Sequence, residues 1–97
     1  MIQLSTSYMI LQGYLGRDGR FVQLPGKRQK KLQKLMFEFL ASKFEPSVSY
    51  SESEVNDILA KYHSFEDPAS LRRFMIGQGL LSRTRDGRTY WKSQLSS

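Results

Sequence analysis

The strongest chemical character in this 97-residue chain belongs to its cations, which fall into three groups. Arg72 and Arg73 are adjacent. Arg83, Arg85, Arg88 and Lys92 place four cations on about ten residues, and Lys27, Arg28, Lys30, Lys31 and Lys34 form a third cluster. A guanidinium can fork onto guanine O6 and N7 or clamp a phosphate through two parallel bonds, whereas an ammonium neutralises phosphate as a point charge. Most acids lie apart, between Glu45 and Asp67, so the charge comes in blocks. Fifteen Lys and Arg against nine Asp and Glu give a net charge of +6, enough to attract a polyanion if the cations share one face.

Catalysis has little to build on. The chain has no cysteine and a single histidine, which rules out disulfides, thiolate metal sites and a cysteine nucleophile, and His-x-x-x-His spacing is absent. Glu52, Glu54 and Asp57 crowd a helix start, where the helix dipole stabilises acids, and this accounts for them. The serines from Ser47 to Ser53 lack a nucleophile elbow, and there is no glycine-rich phosphate loop. His63 reads as a helix-terminal residue. We therefore expect no enzyme, no cofactor, no metal and no small-molecule substrate.

The elements that would position the cations can be read from spacing. The hydrophobic share of 39% with six Phe, five Tyr and one Trp is enough for one core, so residues 1–97 read as a single domain. Met1 to Ser7 is expected to fray. Tyr8–Leu15 and Phe21–Leu24 flank Gly16-Arg17-Asp18-Gly19-Arg20 and predict an N-terminal β-hairpin over 8–24. Leu32, Leu35, Met36, Phe39 and Leu40 follow a helical stripe within Lys27–Phe44, ended by Glu45-Pro46. Lys27, Lys30 and Lys34 lie opposite that stripe, in early turns where the dipole disfavours cations by about 0.3 to 1 kcal/mol each. Phe37 also falls outside it, so the N-terminal hairpin is expected to cover Phe37.

Ser51 and Glu54 form a capping-box pair, and Val55, Ile58, Leu59 and Tyr62 give the second helix its apolar stripe. Asp67-Pro68 opens a third helix running to about Gln78. On it Leu71, Phe74 and Met75 point inward, while Ala69, Arg73 and Ile76 point outward with Arg72 near the edge. Leu80–Arg85 and Arg88–Lys92 then bracket the two-residue turn Asp86-Gly87 as a second hairpin. Period-two geometry sends Arg83 and Arg85 to one strand face and Tyr90 and Lys92 to a shared face of the return strand. Tyr90-Trp91, Tyr62 and Phe65 read as packing residues.

Three helices followed by a hairpin predict an α+β, winged-helix-like core over 25–92, with the first hairpin as an addition. The start of the chain lacks a signal-peptide pattern and no segment approaches a membrane span, so a cytoplasmic protein is expected.

Several short runs also carry a resemblance. They are Leu24-Pro25-Gly26-Lys27-Arg28-Gln29-Lys30-Lys31-Leu32, Phe44-Glu45-Pro46, Tyr50-Ser51-Glu52-Ser53-Glu54-Val55-Asn56-Asp57-Ile58-Leu59, Leu71-Arg72-Arg73, Gly79-Leu80-Leu81 and Tyr90-Trp91. In that order, from Phe21 to Trp91, the chain resembles a small bacterial domain of uncharacterised function, known alone and attached to ArsR-type helix-turn-helix repressors. The resemblance implies a transcription-related setting and names neither ligand nor reaction. It leaves open whether the domain binds DNA, senses something or mediates contacts.

The expected function is a DNA-binding transcriptional regulator acting on double-stranded DNA. Arg72 and Arg73 would lie on the groove-facing helix, with Arg83, Arg85, Arg88 and Lys92 on phosphates and Lys27, Lys30 and Lys34 as a further contact. Neutralising about five phosphates would give log affinity a slope of about −4 to −5 against log salt. Pairing with Glu54 or Asp57 is the competing reading for both arginines, and the stronger one for Arg72. The alternative function is a protein-interaction or homodimerisation module, suggested by Phe37 and Ile76 as exposed hydrophobes.

Overall fold

A computed structural model of the protein describes residues 4–93. Its first α-helix, α1, runs Lys30–Ala41 and buries Met36, Phe37, Phe39, Leu40 and Ala41. Lys27 and Arg28 belong to the turn before it, where the Gln29 N–H donates to Gly26 O at 2.8 Å. The helix ends at Ala41, four residues before Glu45, with the Ser42 hydroxyl donating to Phe39 O at 2.5 Å. α2, Glu52–Tyr62, carries the full capping box: Glu54 N–H donates to Ser51 Oγ at 3.1 Å and Ser51 N–H to Glu54 Oε1 at 2.8 Å. α3, Pro68–Gly77, starts as its sequence requires, with Asp67 Oδ2 accepting from Ser70 N–H at 2.9 Å and Pro68 in the first turn.

β1, Leu81–Arg83, and β2, Tyr90–Lys92, pair antiparallel with Arg83 opposite Tyr90 and Leu81 opposite Lys92. The connection is wider than two residues. Thr84 N–H donates to Thr89 O and Gly87 N–H to Thr84 O, so the chain reverses over residues 85–88 with Gly87 at φ +71°. Tyr50, just before α2, exchanges both backbone bonds with Tyr90 at 2.8 Å and adds one rung beside β2.

The N-terminal hairpin is not formed. Thr6–Tyr14 is a 3-10 helix that buries Leu11 and sets Tyr8 edge-on against Phe39, 5.2 Å between centroids. The Gly16–Arg20 turn is present, but only Leu15 and Phe21 bridge across it. Two ladder bonds flank that bridge, Gly16 N–H to Arg20 O at 2.8 Å and Val22 N–H to Tyr14 O at 2.9 Å, and on its other edge Phe21 donates its N–H to Tyr62 O and accepts from Ser64 N–H; the pairing goes no further because the chain before Leu15 is wound into the 3-10 helix. Of the segment expected to fray, Met1 to Gln3 lie outside the described residues, Leu4 packs against the core and Thr6 opens the 3-10 helix. One cluster joins all these elements through Leu11, Phe21, Met36, Phe39, Val55, Leu59, Met75, Leu81 and Tyr90. Among the described residues no helix is long and apolar enough to cross a membrane.

Candidate nucleic-acid interface

α3 is packed on α2 and β1, which leaves Arg73, Phe74 and Gly77 exposed along its outer side, with Gln78 just beyond its end. These positions separate two grooves. Arg73, Ile76 and Gly77 line the first, about 260 Å³, together with Arg83 of β1, Tyr90 of β2 and the buried Arg72 of α3. Arg73 and Arg83 thus stand at one groove, and among the described residues no acid lines it. Phe74 and Gln78 line the second, about 590 Å³, facing Lys30, Lys34 and Glu38 of α1.

The two adjacent arginines have opposite surroundings. Arg73 is exposed. Arg72 is 6% exposed, donates from Nη1 to Asn56 Oδ1 at 2.5 Å, lies 3.5 Å from a Glu52 carboxylate oxygen and sits 5.5 Å from the Tyr90 ring centroid. Arg72 is therefore withdrawn from the candidate surface. It clamps α2 to α3 and β2, through Asn56 and Glu52 rather than Glu54 or Asp57.

The hairpin cations also divide. Arg83 is exposed and its Nη1 donates to Thr84 O and Arg85 O at 3.3 and 3.4 Å, which lays its side chain along the turn. Arg85 and Arg88 are exposed within the turn, so Arg85 leaves the strand pattern that would have aligned it with Arg83. Arg88 lies 4.0 Å from Asp86, an exposed pair of little energetic weight. The Thr84 hydroxyl and the Arg88 N–H hold the Asp86 carboxyl below its ordinary value, so this acid stays ionised at neutral pH. Lys92 is half-buried at the base of the hairpin opposite buried Leu81, away from the turn.

Residues 20–92 match the family described as "Uncharacterized protein conserved in bacteria (DUF2087)". The chain belongs to this family. The DUF2087 stretch begins after the 3-10 helix and takes in α1 to α3, the hairpin and both grooves. It agrees with the resemblance drawn from the runs between Phe21 and Trp91; it does not extend to any attachment to ArsR-type repressors. Neither a curated protein nor a solved structure matches the chain.

Two features of this DUF2087 domain, at Phe74 and Ile76, escape its sequence pattern, while His63 is helix-terminal as its position suggests. Phe74 is not an inward residue: it is 45% exposed and stacks on Phe37 at 4.7 Å, so α3 covers Phe37 in place of the absent hairpin. Ile76 is half-buried in the first groove. His63 caps α2 from inside the core, 1% exposed, with Nδ1 2.6 Å from Leu59 O and Phe65 edge-on to its ring. Lys27, Lys30 and Lys34 remain exposed, and only Lys30 and Lys34 meet at a groove.

Proposed function

We propose that this DUF2087 domain is a non-catalytic, winged-helix-type DNA-binding module of a cytoplasmic transcriptional regulator. α3 is the helix offered to a duplex groove, and the β1–β2 hairpin is the wing set against the phosphates. The observation that carries the reading is the shared groove of Arg73 and Arg83, with Arg85 and Arg88 exposed on the adjoining turn. Cations of one sign on a helix and a neighbouring hairpin suit a duplex, because groove and backbone contacts can then form together. The rung between Tyr50 and Tyr90 supports the winged-helix assignment, since it ties the segment before α2 into the wing. Arg73 carries the base or groove contact, and Arg83, Arg85 and Arg88 the phosphates.

Fluorescence anisotropy with a mixed-sequence duplex at low salt tests this. Arg73→Glu and Arg83→Glu should each weaken binding by about tenfold or more, whereas Arg17→Glu, outside both grooves, should change it little. Absence of any binding at low salt, or an equal effect of all three substitutions, removes the reading.

Homodimerisation remains a second reading on different residues from those its sequence suggested. Phe37 is buried, but Met9 and Ile10 on the 3-10 helix are 48% and 64% exposed. Sedimentation of the wild type against Ile10→Lys distinguishes it, a monomer in both cases ruling it out.

A further inference from the structure

Phe74 is the large hydrophobic side chain that α3 leaves open, and its ring stacks on Phe37 as part of the lining of the wider groove. At about 590 Å³ the groove lies in the roughly 300–1,000 Å³ range of small-molecule sites. Lys30 and Lys34, one helical turn apart on α1, stand together on its opposite wall with Glu38 one turn further on, so the charges lining the groove sum to +1. Like charges at this spacing repel, and Lys30 also sits in the first turn, at the positive end of the helix dipole. The ion pairs formed among the described residues engage neither lysine.

The two halves of the lining restrict the occupant. A neutral apolar molecule would cover the Phe74 face and leave two repelling ammonium groups beside it. A simple inorganic anion would relieve the lysines and leave the ring open. We infer that the groove between α1 and α3 binds a small aromatic anion, its flat ring on Phe74 and its carboxylate or phosphate between Lys30 and Lys34. The site stands apart from the Arg73–Arg83 groove, and its existence does not depend on DNA binding.

The test is an amide-shift titration of the isotope-labelled full chain at low salt with four probes: 2-naphthoate, 1-naphthyl phosphate, 2-naphthamide and inorganic phosphate. One or both aromatic anions should give saturable shifts centred on Lys34, Phe37, Phe74 and Gln78, and which binds tighter identifies the acid group. Naphthamide and inorganic phosphate should bind at least about fivefold more weakly, and Lys30→Gln with Lys34→Gln should weaken the anions by about the same factor. Phe74→Leu keeps an apolar side chain without the flat face and should weaken them too, and the lysine pair serves alone if that variant does not fold. The inference is overturned if the anions shift nothing or only residues elsewhere, or if naphthamide binds as well as naphthoate. It is equally overturned if the groove resonances move with protein concentration alone, which would mark a second copy as occupant, or respond only to duplex DNA.

Discussion

Replacing Arg72 with Ala should destabilise the domain by about 3 kcal/mol, while the same change at Arg73 should leave stability almost unaltered. At Arg72 the substitution removes two methylenes from a side chain that is 6% exposed, costing about 1.6 kcal/mol at roughly 0.8 kcal/mol each. It strands the half-buried Asn56 amide, worth about 1 kcal/mol, and removes the guanidinium from the Tyr90 ring, worth roughly 0.5 kcal/mol or more. The Glu52 pair adds little, because that carboxylate is 54% exposed. For a domain of this size about 3 kcal/mol corresponds to a Tm lower by roughly 12 to 24 °C. Arg73 makes no hydrogen bond or ion pair within the described residues, so its removal should stay within about 0.5 kcal/mol. Its cost should appear in duplex affinity, as a loss of about fivefold or more. Urea denaturation followed by circular dichroism, run beside anisotropy titrations, reads both. The reasoning fails if Arg72→Ala keeps wild-type stability while losing DNA affinity, or if Arg73→Ala costs more than about 2 kcal/mol in stability.

Other substitutions test the local devices that hold the interface in place. Ser51→Ala removes the capping box of α2 and should cost about 1 kcal/mol by denaturant midpoint. Ser70, through its side chain and then its N–H, holds the Asp67 carboxyl below its ordinary value. A lowered folded value means this contribution is present above the unfolded pKa and fades as pH falls through the folded one. Asp67→Asn should flatten that acid limb while still capping α3, and an unchanged acid limb in the variant would refute the assignment. Gly87→Ala places a side chain at φ +71° and should cost about 1 kcal/mol in backbone strain, because the nearest atom, Arg83 Nη1 at 3.6 Å, leaves room for the methyl.

The three helices and the hairpin were legible because each has its own local signal. α1 shows in the apolar spacing from Leu32 to Leu40, α2 in Ser51 with Glu54, α3 in Asp67-Pro68, and the hairpin in Asp86-Gly87. The N-terminal segment was not legible, because its outcome is decided by distant partners. Gly16 to Arg20 does carry turn chemistry and closes one bridge between Leu15 and Phe21, but the residues before it wind into a 3-10 helix that buries Leu11 in the core and sets Tyr8 against Phe39 of α1. The candidate site divides in the same way. Periodicity identified Arg73 as outward, but the fate of Arg72 depends on Asn56, a polar residue one helix away whose facing position no local pattern announces. The helical stripe places Phe74 inward because it counts hydrophobic neighbours and not what lies opposite; Phe37 gives it a partner and still leaves one side open.

The measurement that bears most directly on the proposed function is the salt dependence of duplex binding. With Arg72 buried and Lys92 half-buried at the hairpin base, three outward arginines remain for the phosphates, at positions 83, 85 and 88, with Arg73 turned to the groove. At about −0.9 per neutralised phosphate, log affinity against log salt should have a slope of about −2.7, shallower than the slope the sequence suggested. Arg85→Gln combined with Arg88→Gln should reduce that slope by about 2. A slope near zero, or one that the double substitution leaves unchanged, would contradict a duplex seated across α3 and the hairpin.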